Sequence, residues 1–283
     1  MTNATVFDPR ICHLGEGPLW HPERGQLFWF DILGKRLLSR DDTGPLEWQF
    51  DEHVSATGWV DRDTLLIASE TALFRFDLTT GAREDVIALE ADNPVTRSND
   101  GRADPWGGFW IGTMGKAAEP GAGTIYRFYQ GALEPLYRNI TIPNAICFAP
   151  DGSCAYVTDT VTRRILRQPL DSDGWPKGEA ALFVDLGPEE LNPDGSVVDA
   201  EGYLWNAQWG AGRIARYAPD GRFDRAVPLP ARQPSCPAFG GAELSSLFAT
   251  SATEHMTAPD PVDGQVFRVD LGIRGQAEHR VRL

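Results

Sequence analysis

One short apolar motif occurs six times in this chain at nearly even spacing. The six copies read LFWFD, LLIAS, FWIGT, AYVTD, LWNAQ and LFATS. Their aromatic or leucine anchors are, in order, Trp29, Leu66, Trp110, Tyr156, Trp205 and Phe248. The steps between successive anchors are 37, 44, 46, 49 and 43 residues. Their mean of about 44 residues is the period of a four-stranded propeller blade.

Each copy lies within a longer repeat of turn and strand signals. A turn rich in Pro, Asp or Gly precedes it, as in APDGS at 149–153, and a β-branched or aromatic run follows it, as in IYRF at 125–128. A weaker fourth run completes the unit. The pattern predicts an all-β chain, a six-bladed β-propeller with four-stranded antiparallel blades, as one domain over residues 1–283. A long antiparallel sandwich would not explain the fixed spacing. Either ATVF at 4–7 or HRVRL at 279–283 is expected to complete the blade that closes the ring.

The composition excludes several partners. The formal net charge is −14, which argues against nucleic acid and against an anionic membrane surface. No apolar run approaches the roughly 20 residues that span a bilayer, and no leader peptide is visible. The four cysteines fit neither a zinc site nor a disulfide framework. We therefore expect a cytoplasmic protein with reduced cysteines, either a monomer or a weak homo-oligomer.

Four polar residues occupy the same position in their repeats. Glu16, Asn99, Asn144 and Asp194 lie eight or nine residues before the glycine of a hairpin turn, where the innermost strand of a blade begins beside the central channel. Repeats two and six have Ala56 and Cys236 in this region instead. Such residues are also turn formers, but their shared register favours a channel site.

Two carboxylates and an amide oxygen suit a hard divalent cation. The sequence therefore predicts one metal ion bound by Glu16, Asn144 and Asp194. Calcium, magnesium and manganese are the preferred candidates, with zinc and iron as alternatives.

Several segments resemble one known family in the same order along the chain. They are LGEGPLW at 14–20, RSNDGR at 97–102, IPNAICFAPDG at 142–152 and NPDGSVVDAEGYLW at 192–205. They resemble the SMP-30/gluconolactonase family, which includes regucalcin and bacterial aldonolactonases. The resemblance implies a six-bladed propeller, a single divalent metal held by Glu16, Asn144 and Asp194, and contacts from Arg97 and Asn99 to the substrate oxygens.

One segment departs from the pattern of the animal members. Those proteins carry an acidic pair after G-T-M, whereas this chain reads GTMGKAAEPGAG, with Lys116 where an acid is expected and Glu119 displaced. Lys116 is therefore a candidate substrate-binding residue, and whether Lys116 or Glu119 replaces the acidic contact stays open. This loop and EHMTAPDPVDG at 254–264 are long and are expected to roof the channel mouth.

The resemblance implies hydrolysis of a sugar-acid lactone, an aldono-1,4- or 1,5-lactone. The metal would polarise the carbonyl, Asp194 is the candidate general base, and Arg97 would orient the polyol. A G-x-S-x-G elbow and an H-E-x-x-H motif are both absent. Two alternatives share parts of this pattern: a metal-dependent esterase or phosphotriesterase, and a non-catalytic metal-binding propeller scaffold.

Overall fold

The structure is a computed structural model that describes residues 4–283. An N-terminal strand, β1 (Thr5–Asp8), precedes the first blade. Blade one contains β2 (Gly15–His21), β3 (Gln26–Asp31), β4 (Arg36–Asp41) and β5 (Gly44–Gln49). Blade two contains β6 (Val54–Trp59), β7 (Thr64–Ser69), β8 (Ala72–Asp77) and β9 (Arg83–Ala88). Blade three contains β10 (Thr96–Ala103), β11 (Phe109–Gly115), β12 (Gly123–Tyr129) and β13 (Ala132–Ile140).

The remaining blades follow the same order. Blade four contains β14 (Pro143–Phe148), β15 (Cys154–Asp159), β16 (Arg164–Pro169) and β17 (Ala181–Asp185). Blade five contains β18 (Asn192–Val198), β19 (Leu204–Trp209), β20 (Arg213–Tyr217) and β21 (Phe223–Pro228). Blade six contains β22 (Pro234–Gly240), β23 (Ser246–Ser251) and β24 (Val266–Asp270). A single 3-10 turn, Thr160–Thr162, is the helical element within residues 4–283.

The six sheets form a closed ring. The first strand of each blade contacts the first strand of the next, and β22 of blade six contacts β2 of blade one. Every sheet is antiparallel and four-stranded, with the first strand innermost. This confirms the predicted six-bladed β-propeller. No helix in the described range has the length and apolar character needed to cross a bilayer.

The N-terminal strand closes the ring. β1 pairs antiparallel with β24, so that blade six has the strand order β1-β24-β23-β22. Of the two candidates for closure, ATVF therefore supplies the strand. HRVRL at 279–283 lies instead in a tail without strand structure, in which the backbone N–H of Val281 donates to Trp59 and that of Arg282 donates to Gly107. The tail therefore runs along the turns that join the first and second strands of blades two and three.

Large apolar side chains fill the space between the blades. Trp29, Trp110 and Trp205, the anchors of repeats one, three and five, are each fully buried. Each lies in a different hydrophobic cluster, together with residues of the neighbouring blade. Burying this surface fixes the blades around the channel and holds the starts of the inner strands in place.

Candidate functional site

The first strand of every blade departs from regular pairing at the same place. Where β2 pairs with β3, the register shifts between Glu16 and Leu19, and where β14 pairs with β15 it shifts between Asn144 and Cys147. Equivalent shifts follow Ser98, Pro193, Val54 and Pro234. A bulge bends its strand and re-aims a side chain. In blades one, three, four and five, the repeated irregularity lies where Glu16, Asn99, Asn144 and Asp194 stand.

The backbone at these bulges adopts a conformation that few residues tolerate. Gly17, next to Glu16, has φ of 53°, and a Cβ on it would lie 2.2 Å from the carbonyl oxygen of Ser55. Ala145, next to Asn144, has φ of 59° despite its side chain. Left-handed conformations of non-glycine residues concentrate at functional sites, where the surrounding structure holds them.

A cavity of about 350 Å³ lies at this end of the channel. All six side chains singled out from the sequence line it: Glu16, Arg97, Asn99, Lys116, Asn144 and Asp194. Residues more than a hundred positions apart therefore meet in one place. Their roles stay predictions, but the structure brings the whole set together.

The two carboxylates of the cavity lie deep in the protein. Glu16 is 5% exposed and Asp194 is 6% exposed. Burial, reinforced by the charge of Asp100, raises the pKa of Glu16 to about 8. Burial and the charge of Glu16 raise the pKa of Asp194 well above its usual value. Without a bound cation, the site therefore resists carrying a negative charge on both carboxylates at once.

A chain of hydrogen bonds orients the side-chain amides of Asn99 and Asn144. The Asn99 Nδ2 group donates to Asn144 Oδ1 at 3.2 Å, and Asn144 Nδ2 donates to Thr160 Oγ1 at 2.9 Å. The Thr160 hydroxyl in turn donates to the Pro193 carbonyl at 2.8 Å. Together these bonds determine which end of the Asn144 amide is the oxygen, and they turn that oxygen away from Thr160.

Arg97 is buried beside this chain. Its Nη1 group donates to Asn99 Oδ1 at 2.8 Å and to the Ser98 carbonyl at 2.9 Å. Burial lowers the pKa of Arg97, while the carboxylates of Glu254 and then Glu16 oppose that shift. Its Nε–H has no acceptor among the described residues. A buried donor without an acceptor is costly.

Lys116 lies at the cavity wall and is held by an ion pair. Its ammonium donates to Glu70 Oε2 at 2.5 Å, and the same carboxylate contacts the ring of His53. Glu119 is not among the lining residues, and its carboxylate accepts the backbone N–H of Ala117 at 3.1 Å. Of the two candidates left open by the sequence, Lys116 is the one that reaches the cavity.

The predicted roofing loops both contribute to the cavity. Ala117 and Ala118 come from the loop between β11 and β12, and Glu254 and His255 come from the loop between β23 and β24. Sequence reasoning did not single out Thr160, Trp209, Glu254 or His255. A signal for them was present, because the cavity residues Lys116, Thr160, Trp209 and Glu254 each lie four to six residues after the anchor of their repeat.

The described residues contain no group of three or more His, Cys, Asp and Glu side chains arranged to hold a metal. The channel offers a different set of donors, namely two carboxylates and an oriented amide. Oxygen-only donors are the preferred ligands of hard divalent cations rather than of soft ones. The residues present therefore fit a hard cation.

The fold and cavity define a six-bladed propeller with an acidic, oxygen-rich site at one end of its channel. Residues 14–253 match the family model described as SMP-30/Gluconolactonase/LRE-like region, and the chain belongs to that family.

Two curated relatives and one solved structure illustrate the similarity. The chain is 37% identical to an L-arabinolactonase of Azospirillum brasilense over 98% of this chain and 95% of that protein. It is 32% identical to a 6-deoxy-6-sulfogluconolactonase of Pseudomonas putida over 97% of this chain and 96% of that one. A calcium-binding protein of Agrobacterium tumefaciens, described as regucalcin, superimposes with a TM-score of 0.96 at 40% identity, covering 100% of this chain and 98% of that structure.

Proposed function

We propose that this protein hydrolyses an aldono-1,4- or 1,5-lactone with the help of one divalent cation held by Glu16, Asn144 and Asp194. The family and the full-length similarity to lactonases identify it as a lactonase. The observation that carries the proposal is the buried carboxylate pair beside an oriented amide, in the same cavity as Arg97. A cation between the members of such a pair favours the charged form of both.

The donor set supports a hard cation. Glu16 and Asp194 are carboxylates and Asn144 Oδ1 is an amide oxygen, so the protein supplies oxygen alone. Calcium, magnesium and manganese prefer such donors, whereas zinc more often takes histidine or cysteine. The similarity to a protein described as calcium-binding also supports a metal site.

When bound, the cation would act as a Lewis acid on the lactone carbonyl. Arg97 lines the cavity with a guanidinium whose Nη1 is already fixed by Asn99. This rigid donor would orient the polyol and stabilise negative charge that develops on the carbonyl oxygen. Asn99 forms hydrogen bonds with both Arg97 and Asn144. It thus connects the residue that would orient the substrate to a residue that would bind the cation.

Asp194 is the candidate general base. In this step its carboxylate takes a proton from the attacking water as the water oxygen bonds to the carbonyl carbon. The ring carbon–oxygen bond then breaks, and the leaving alkoxide takes up the proton. The aldonic acid formed ionises near neutral pH, so each turnover releases one proton to solution.

Proton release provides the direct test. A panel of neutral aldonolactones is offered to chelator-stripped protein and to the same protein with calcium, magnesium, manganese, zinc or iron restored. Hydrolysis well above the spontaneous rate, only with the cation, is expected. Cation-independent turnover would refute the role of the metal, and no turnover with metal demonstrably bound would refute the lactone assignment.

A pair of variants addresses the residues. Asp194→Asn is expected to lower cation affinity at least about a hundredfold and to abolish turnover, because it removes a charged ligand and the base. Asp220→Asn, in a turn where the side chain is 68% exposed, removes the same charge far from the cavity and is the matched control. Full turnover in Asp194→Asn would contradict the assignment of the base.

A further inference from the structure

Glu254 is held firmly at the cavity wall by its backbone. Its N–H and that of Thr253 both donate to the His13 carbonyl at 3.0 Å. The Gln233 side chain donates to the Glu254 carbonyl at 2.9 Å. His13 lies just before β2 and Gln233 just before β22, so two innermost strands support the residue. The backbone position of Glu254 is therefore supported from outside the 254–264 loop.

The carboxylate of Glu254 lacks the partners that other acids near the cavity have. It lines the cavity and is 22% exposed. Within residues 4–283 it accepts no hydrogen bond, and its only ion-pair neighbour is the His255 ring, 3.7 Å away and 86% exposed. Glu70, by contrast, holds Lys116 and the backbone of His53. The Glu254 oxygens are therefore free to accept hydrogen bonds from a ligand.

The charges of the cavity balance only if Glu254 is included. Glu16 and Asp194 together match one divalent cation, and Lys116 is matched by Glu70. Among the charged side chains that line the cavity, Arg97, which is buried, and Glu254 remain. A cavity without Glu254 would carry one excess positive charge and would favour an anionic substrate. With Glu254 present, its electrostatics suit a neutral one.

We propose that Glu254 is a specificity residue that selects neutral polyhydroxylated lactones, accepting hydroxyl hydrogens of the substrate and repelling lactones with an anionic tail. The inference rests on the proposed function and refines its substrate class. In blade three, the loop residues at the cavity are Lys116 and two alanines, none of which is an acid. The carboxylate that accepts these hydrogen bonds therefore comes from blade six.

The experiment compares one neutral and one anionic substrate. D-Glucono-1,5-lactone and its 6-phosphate are offered to the metal-loaded wild type, to Glu254→Gln and to Asp260→Asn. Asp260 lies in the same loop, is 70% exposed and does not line the cavity, so its variant removes one loop charge without altering the site. The wild type is expected to show the higher kcat/KM for the neutral lactone.

Removal of the Glu254 charge should change selectivity rather than abolish activity. One like charge in a half-buried site corresponds to about tenfold in the ratio of the two kcat/KM values. Glu254→Gln is expected to lower the neutral-to-anionic ratio by at least this factor, and Asp260→Asn to leave the ratio within about twofold. Binding of a non-hydrolysable gluconolactam, measured by calorimetry, should weaken in Glu254→Gln alone.

The outcomes separate the two proposals. An unchanged ratio and unchanged lactam affinity in a folded Glu254→Gln variant would overturn the role of Glu254 while leaving the lactonase proposal intact. A wild type that prefers the anionic lactone would also overturn it. A wild type that hydrolyses neither substrate with cation bound would overturn the proposed function, and the inference with it.

Discussion

The hydroxyl of Thr160 should control cation affinity without touching the cation. It accepts a hydrogen bond from Asn144 Nδ2 and donates one to the Pro193 carbonyl, next to Asp194. One side chain thus connects a proposed ligand in blade four to the strand that carries another in blade five. Thr160→Val keeps the shape of the side chain and removes both hydrogen bonds.

The structure limits the size of the effect. Loss of the acceptor leaves the Asn144 N–H unpaired, which costs about 1–3 kcal/mol. The second restraint, from Asn99 Nδ2 to Asn144 Oδ1, is unaffected and still favours the correct amide orientation. We therefore expect Thr160→Val to lower cation affinity by about tenfold, or about 1.4 kcal/mol. This is the lower end of the range known for residues that hydrogen-bond metal ligands.

Calorimetric titration of calcium, magnesium or manganese into chelator-stripped protein measures this affinity directly. Thr160→Ser restores the hydroxyl and is the matched control, so it should bind within about twofold of wild type. Denaturant midpoints of the three metal-free proteins show whether the fold is intact. Equal affinity in Thr160→Val and wild type would refute the reasoning, as would a Thr160→Ser variant as weak as Thr160→Val.

Two further predictions concern the buried charges. Burial raises the pKa of Glu16 from 4.5 to about 8, so the folded metal-free protein keeps a proton that the unfolded chain loses. Its free energy of unfolding should therefore fall as the pH rises from 4.5 to 8, and the fall should be smaller in Glu16→Gln; urea titrations with equal slopes in both proteins would contradict this. In blade three, Arg127 Nε donates to Asp104 Oδ2 at 2.7 Å, and both side chains are fully buried. Asp104→Asn should lower the free energy of unfolding by about 3–5 kcal/mol and leave cation affinity unchanged, whereas a loss under about 1 kcal/mol in denaturant unfolding would show that the pair is not needed.

The fold could be predicted because its information is repeated. Six copies of a strand motif at near-even spacing require six similar units, and one misread unit would not change the conclusion. Closure of the ring, by contrast, depends on a single strand pairing that is not repeated along the chain. ATVF and HRVRL were both candidates, and the difference lies in long-range pairing, since β1 meets β24 across nearly the whole chain. A local pattern does not contain that information.

The proposed ligands were accessible from the sequence for the same reason. Glu16, Asn144 and Asp194 occupy equivalent bulges, so the repeat register aligns them. Thr160 and Glu254 were missed because their importance comes from contacts between blades rather than from their place in one repeat. Thr160 acts across the boundary between blades four and five, and Glu254 depends on the carbonyl of His13 in another blade.

The missed residues nevertheless share a place in the repeat with Lys116, which the sequence did single out. Glu70, Lys116 and Glu254 all lie in connections between the second and third strands of their blades, and Thr160 begins the equivalent connection in blade four. These connections border the same end of the channel as the bulges. Blades two and six have the uncharged Ala56 and Cys236 near their bulges. The charged loop residues Glu70 and Glu254 come from these same two blades.

The site therefore has two layers with different constraints. The floor is built from bulged inner strands, where a substitution must satisfy the bulge backbone, the neighbouring blade and the buried charges together. The rim is built from loops, which tolerate change in length and charge. The charge at the rim can thus change without a change in the floor. Exchange of Glu254 for a neutral residue is the smallest change in this chain that would test whether the rim selects the substrate independently of the floor.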